Sequence, residues 1–151
     1  MRKAIAFIAL LIVGCGDADK YKVVGISDGD TIRILKDNKE VRVRLAGIDC
    51  PERGQAFYQQ AKSFTSEKCF GKEVKLNITQ ASDRYGRVVA DVILPDGTLL
   101  CSELVKAGLA WHYTHFSKSK VLEDLQTEAK ENKRGLWGDK DPIPPWEYRK
   151  K

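Results

Sequence analysis

Three short stretches of this chain gather charged side chains where plain structure has little use for them. Asp28-Gly29-Asp30-Thr31 sets two carboxylates around a glycine between apolar segments. The stretch from Arg44 to Glu52 places a guanidinium among Val43 and Leu45, then Asp49, Cys50 and Glu52 where the chain turns at Pro51. Asp83-Arg84-Tyr85-Gly86-Arg87 flanks a Tyr-Gly turn with two arginines. Each has a bland reading alone. Asp-Gly is a favoured hairpin pair, a helix cap accounts for Asp49 or Glu52 singly, and a basic hairpin is usually a solvated turn. None of these explains Arg44. Together the three stretches fit one chemistry. Asp30 and Asp49 offer hard oxygen ligands to a divalent cation such as Ca²⁺. Glu52 suits a general base acting on water. Arg44 and Arg87 are planar, permanently charged donors matched to phosphate oxygens. Hydrolysis of a phosphodiester needs these parts, because water must lose a proton and the transition state gathers negative charge.

The elements that must hold these residues follow from periodicity. Val23 to Ile26 and Thr31 to Leu35 flank the Asp28–Asp30 turn, and Lys36 to Lys39 is a second polar turn. Val41, Val43 and Leu45 then alternate with Arg42, Arg44 and Ala46, which predicts a three-stranded meander. Gln55 to Phe70 switches to helical spacing, with Phe57, Ala61, Phe64 and Cys69 on one face and Gly71 as the stop. Val74, Leu76 and Ile78 alternate again, Arg87 to Leu94 is a further strand, and Ser102 to Ala107 is a short helix ended by Gly108. Val121, Leu122, Leu125 and Ala129 define a third helix, with Ser119 as N-cap. The tail from Asp141 to Trp146 is proline-stiffened and expected to be extended. The order β-β-β-α-β-β-α-α predicts an α+β fold, a five-stranded barrel of the OB type with three α-helices.

The strings VVGISDGDTIRI, VRLAGIDCPE, DRYGR, ELVKAGLAW and AKENKRGLW, in this order and spacing, resemble the staphylococcal (micrococcal) nuclease family. The resemblance runs from about Tyr21 to Trp137. It implies an OB-fold barrel and a Ca²⁺-dependent nuclease that cuts DNA and RNA to 3′-phosphate products. By motif, it implies that Asp30 and Asp49 are metal ligands and that the backbone carbonyl at Cys50 completes the protein's share. Glu52 falls at the general base, Arg44 and Arg87 at the transition-state arginines, and Arg84 and Tyr85 where a terminal phosphate binds. Tyr113, in the aromatic segment Trp111 to Phe116, is the better match to a base-stacking residue. There are two departures. Cys50 stands where the best-known member has Thr, and a soft thiol there would admit other metals. The link from Glu52 through Arg53-Gly54 to Gln55 is very short, where that member has a longer basic loop. The alternative is an OB-type module that binds nucleic acid without cleaving it. A degenerate domain is expected to lack one of Asp30, Arg44, Asp49, Glu52 and Arg87, and none is missing. A structural or adhesive surface lipoprotein is a further alternative.

The N-terminus reads as an address. Met1-Arg2-Lys3 precedes an uncharged apolar run, Ala4 to Gly14, too short to span a bilayer but suited to a secretory signal over residues 1–14. Leu11 to Cys15 resembles a bacterial lipoprotein cleavage box, which implies a lipid on Cys15, a polar tether over 15–20 and an exported domain held at a membrane. An ordinary cleaved signal or an uncleaved anchor is the alternative. The mature domain then spans 21–137, with a proline-rich basic tail over 138–151 and no partner implied beyond nucleic acid, as a monomer.

Overall composition is that of a globular domain. The 151 residues are 42% apolar and 31% charged, which excludes collagen, coiled coil and a multi-pass membrane protein. Lys and Arg number 26 against 21 acids, a mild excess that permits a polyanionic partner without requiring one. Cys50, Cys69 and Cys101 remain after the tether, and in an oxidising compartment Cys69–Cys101 is the preferred bridge, with two buried reduced thiols as the alternative. His112 and His115 are read as surface or base-contact residues rather than metal ligands. Trp111 and Trp137 are read as packing residues, Trp146 is expected to dock on the domain, and Arg149-Lys150-Lys151 is read as solvated surface.

Overall fold

The structure, a computed structural model, describes residues 20–151. The signal, Cys15 and the tether before Lys20 lie outside the described residues. Along the chain run β1 (Lys20–Asp28), β2 (Thr31–Lys36), β3 (Lys39–Leu45), β4 (Ile48–Asp49), α1 (Tyr58–Cys69), β5 (Glu73–Gln80) and β6 (Val88–Ile93). They are followed by α2 (Leu100–Lys106), β7 (Trp111–His112), α3 (Lys120–Glu131), a 3-10 turn (Gly135–Gly138) and α4 (Pro145–Tyr148). Five strands close a barrel in the order β1-β2-β3-β6-β5, with β5 returning to β1. The expected α+β barrel is therefore present, and among the described residues it carries three longer helices and two added single turns, the 3-10 turn and α4. The separate two-stranded piece, β4 with β7, was not expected, because two residues are too few to show a period.

Alternation builds the barrel. Val23, Ile32, Ile34, Val43, Leu45 and Val92 point inward and are fully buried, while the residues between them face out. All barrel pairs are antiparallel except β3 with β6, where Val43, Arg44 and Leu45 lie beside Val88, Val89 and Ala90. That parallel register puts Arg42, Arg44 and the residue preceding Val88, namely Arg87, on one outer face.

α1 packs on β1 with Ala61 and Cys69 buried as expected, while Tyr58 and Thr65 take the inner positions expected of Phe57 and Phe64. Tyr58, Ala61, Thr65 and Cys69 are buried, while Phe57 stands before the helix with φ 66° and Phe64 is only partly covered. Polar Thr65 and Tyr58 are buried because their hydroxyls have partners. Thr65 donates to the carbonyl of Gly29 at 2.6 Å, and Tyr58 to Asp28 at 3.0 Å. α2 starts earlier than predicted, since Leu100 and Cys101 belong to the core. It ends at Gly108, where a Cβ would fall 2.2 Å from the carbonyl oxygen of Arg134, so only glycine allows these two segments to meet. The Ser119 cap is as expected, its hydroxyl accepting from the backbone N–H of Leu122.

Three expectations are corrected. Cys50, Cys69 and Cys101 are all buried free thiols, so there is no Cys69–Cys101 bridge; the three fill core volume. His112 is buried rather than at the surface, its Nε2 3.1 Å from the hydroxyl of Ser117, because β7 folds it under β4. The tail is not extended throughout: Pro145 opens a single helical turn, as proline at a first helical position does.

Candidate active site

One open cleft collects most of the residues singled out above: Asp30, Arg44, Asp49, Glu52, Arg87 and Tyr113 all line it, as do Cys50, Arg84 and Tyr85. Its floor is the β1–β2 turn. Asp30 is buried, and its backbone carbonyl accepts from the N–H of Leu45 at 2.9 Å, which ties the turn to β3. One Asp30 oxygen accepts from the backbone N–H of Cys50 at 2.7 Å and the other from the Thr31 hydroxyl at 3.1 Å. Gly29 is needed here for closeness rather than for its φ, since a Cβ would lie 2.9 Å from that of Ala61 and 3.1 Å from the Cys50 sulfur.

Arg44 connects the two aspartates. Its Nη2 is 3.3 Å from Asp30 and donates to Asp49 at 2.9 Å, and its Nη1 donates to the carbonyl of Leu45 at 2.8 Å. Burial works against this charge, but Asp30 and Asp49 outweigh it and raise the guanidinium's pKa. Burial, with the charge of Asp30, also pushes Asp49 up, and the hydrogen bond from Arg149 and the charge of Arg44 draw back only part of that. Burial and the neighbouring Asp30 push the Cys50 thiol well above its ordinary value.

β4 and β7 set the other wall. Asp49 pairs with Trp111, and the N–H of Tyr113 donates to the carbonyl of Gly47 at 2.9 Å, which fixes Tyr113 beside the aspartate strand. Glu52 follows the turn at Pro51, with its N–H bonded to the Gln55 side chain at 2.8 Å. Its side chain is 39% exposed, so water reaches it.

Arg87 shares the cleft but touches neither aspartate ligand candidate. Asp83 holds it by two N–H groups at 2.8 Å, while the backbone N–H groups of Tyr85 and Arg87 cap the same carboxylate at 2.9 Å. Burial alone would raise Asp83; these donors hold it below the usual carboxylate range. The exposed Tyr85 ring has Arg84 at 4.7 Å and Arg87 at 5.1 Å, and its carbonyl accepts from Arg42 at 2.7 Å. This gives a cationic rim with one aromatic face.

The residue that sequence reasoning missed is Arg149. Expected in solvent, it donates instead to Asp49 at 2.8 and 3.3 Å and to Glu52 at 2.5 Å. Burial opposes its charge, but the hydrogen bonds to Asp49 and Glu52 prevail and raise its pKa. The one available signal was Pro144-Pro145-Trp146, a helix start followed by an anchor.

The donors fit a hard cation. Two buried carboxylates share one guanidinium nitrogen. Among the described residues no group of three or more His, Cys, Asp or Glu side chains stands ready to hold a metal. The side chains would thus supply two carboxylates, leaving other positions to backbone oxygen, water and phosphate, as oxygen-preferring ions accept.

Comparison with known proteins gives the family. Residues 42–139 match the family described as Staphylococcal nuclease homologue. A protein of Escherichia coli named "Uncharacterized endonuclease" is 40% identical over 99% of this chain and 98% of its own length. One of Haemophilus influenzae with the same name is 40% identical over 97% and 83%. A Shigella flexneri protein named "Micrococcal nuclease" is 35% identical over 99% and 92%. With a closed five-stranded barrel, a cleft of paired aspartates and arginines and these relatives, the chain belongs to the staphylococcal nuclease family.

Proposed function

We propose that this chain is a Ca²⁺-dependent phosphodiesterase that hydrolyses DNA and RNA to 3′-phosphate products. Its ligands would be Asp30, Asp49 and the backbone carbonyl at Cys50. The observation that carries the reading is Arg44 bridging Asp30 and Asp49 beside a solvent-reached Glu52, with Arg87 on the same outer face. A bound divalent ion supplies charge stabilisation to a phosphate oxygen. Glu52 takes a proton from water. Arg44 and Arg87 donate to phosphate oxygens as negative charge gathers there, and Arg87 leaves Asp83 to do so. Arg84 and Tyr85 hold a terminal phosphate, and Tyr113 stacks on a base. The domain works as an exported monomer, released from a signal over residues 1–14 and held at a membrane by lipid on Cys15. Of the alternatives, a module that only binds nucleic acid is the one the test below separates.

Residues 16–151 incubated with plasmid and RNA, with Ca²⁺ or with chelator, beside Glu52→Gln, provide the test. Cleavage is expected with Ca²⁺ alone and is expected to collapse in the variant. Folded wild type and variant that bind nucleic acid and are equally inert in Ca²⁺ would overturn the reading in favour of a binding module. For the address, metabolic labelling of the full chain with radioactive palmitate is expected to mark wild type and not Cys15→Ser.

A further inference from the structure

The C-terminal segment is built into the cleft. Pro145 is buried, and the ring of Trp146 lies parallel to that of Tyr113 at 4.9 Å and edge-on to Trp111 at 5.6 Å. Gln55 donates to the carbonyl of Ile143 at 3.0 Å. At Gly54, where φ is +93°, a Cβ would lie 2.9 Å from the Tyr148 hydroxyl. The short link after Glu52 is thus covered by the tail. These contacts deliver Arg149 onto Asp49 and Glu52.

The consequence lies in the oxygens. One Asp49 oxygen is shared by Arg44 and Arg149, and the other is held by Arg149 at 2.8 Å. Every Asp49 oxygen therefore faces a guanidinium, and Glu52 shares the second one. Three hydrogen bonds thus crowd this one carboxylate, and a cation drawing on Asp49 competes with the Arg149 fork for its oxygens and for its charge.

We propose that Arg149 is a positioning residue of the metal site, a resident monocation that holds Asp49 and Glu52 and must be exchanged when a divalent ion binds. The inference rests on the metal-dependent reading above. The tail then sets the apparent affinity for the ion, since a site competent for only about a tenth of the time binds about tenfold more weakly. Trp146 makes the exchange sensitive to whatever stacks on Tyr113, because both contacts belong to one turn.

Calorimetric titration of residues 16–151 with Ca²⁺, without nucleic acid, provides the test, using wild type, R149Q and K150Q. K150Q removes the same charge from the neighbouring residue and controls for long-range attraction. R149Q is expected to bind Ca²⁺ about tenfold more tightly than wild type, and K150Q within about twofold of wild type. R149Q is also expected to gain more in melting temperature from saturating Ca²⁺. A merely structural Arg149 predicts the opposite sign, weaker binding from a looser site. Equal or weaker binding by R149Q, or an equal gain in K150Q, overturns the inference and leaves the metal-dependent reading standing. No Ca²⁺ binding by any of the three proteins, with the fold intact, overturns that reading and the inference with it.

Discussion

The Thr65 hydroxyl donates to the carbonyl of Gly29 at 2.6 Å, a buried bond by which a helix, helped by Tyr58 on Asp28, holds the turn that carries Asp30. Gly29 precedes Asp30 directly, so a shift of this carbonyl moves the aspartate. Thr65→Val keeps the volume and removes the donor, leaving a buried oxygen unsatisfied. We expect a loss of about 1–3 kcal/mol in denaturant unfolding together with weaker Ca²⁺ binding in calorimetry. Thr65→Ser, which restores the hydroxyl, should recover the binding. A Thr65→Val protein with unchanged Ca²⁺ affinity would show that the turn is held by other contacts.

Arg44 is expected to resist conservative replacement. It meets Asp30, Asp49 and the Leu45 carbonyl with two different nitrogens, a task for a planar fork and not for a single ammonium. Arg44→Lys should lower kcat on single-stranded DNA by about 10²–10³, the usual effect of removing one oriented donor to a developing charge. Circular dichroism should show the barrel retained. Near-wild-type turnover would remove Arg44 from the transition state.

Burial and pH together make His112 a stability sensor. Burial depresses its pKa below the ordinary 6.5, with Glu123 opposing only in part. The unfolded chain therefore takes up a proton near pH 6.5 while the folded one does not. The histidine's contribution is complete above that value and is lost as pH falls towards the folded pKa. Stability should decline from pH 7 to pH 5 by at most about 1.4 kcal/mol per pH unit from this one group. His112→Gln should flatten that limb of the curve in urea titrations; an unchanged slope would place the sensor elsewhere.

The thiols give a direct chemical readout. Burial pushes Cys69 up to about 12, with Lys72 opposing, and raises Cys50 and Cys101 as well. In residues 16–151, Ellman's reagent is expected to label none of them in the folded protein at pH 8 and all three in guanidinium. One thiol released on unfolding, rather than three, would mean that a bridge forms after all.

What could be seen in the sequence was local. Alternation in Val41 to Leu45 and Val74 to Ile78, the polar turns and the Ser119 cap each write their structure within a few residues. The carboxylates and arginines of the cleft stood out because no local structure required them. What was hidden depends on distant partners. Thr65 looks like a surface residue until its carbonyl partner is known. The parallel pairing of Arg44 with Val89 leaves no mark on either strand. His112 is buried only because a two-residue strand pairs with Ile48. Arg149 resembles any basic chain end until Pro145 and Trp146 are seen to seat it. The expectation of an oxidising compartment invited a bridge that Cys69 and Cys101, both buried free thiols, do not form.

The parallel seam between β3 and β6 also dictates when the protein becomes able to act. Asp30, Arg44, Asp49 and Glu52 leave the ribosome early, but Arg87 joins their face only after the α1 helix and β5 have been made and the barrel has shut. Such sequence-distant pairings form late in folding. A chain whose β6 has not yet paired therefore carries the acids and Arg44 without Arg87 beside them. Until that pairing is made the cleft lacks one of its lining arginines.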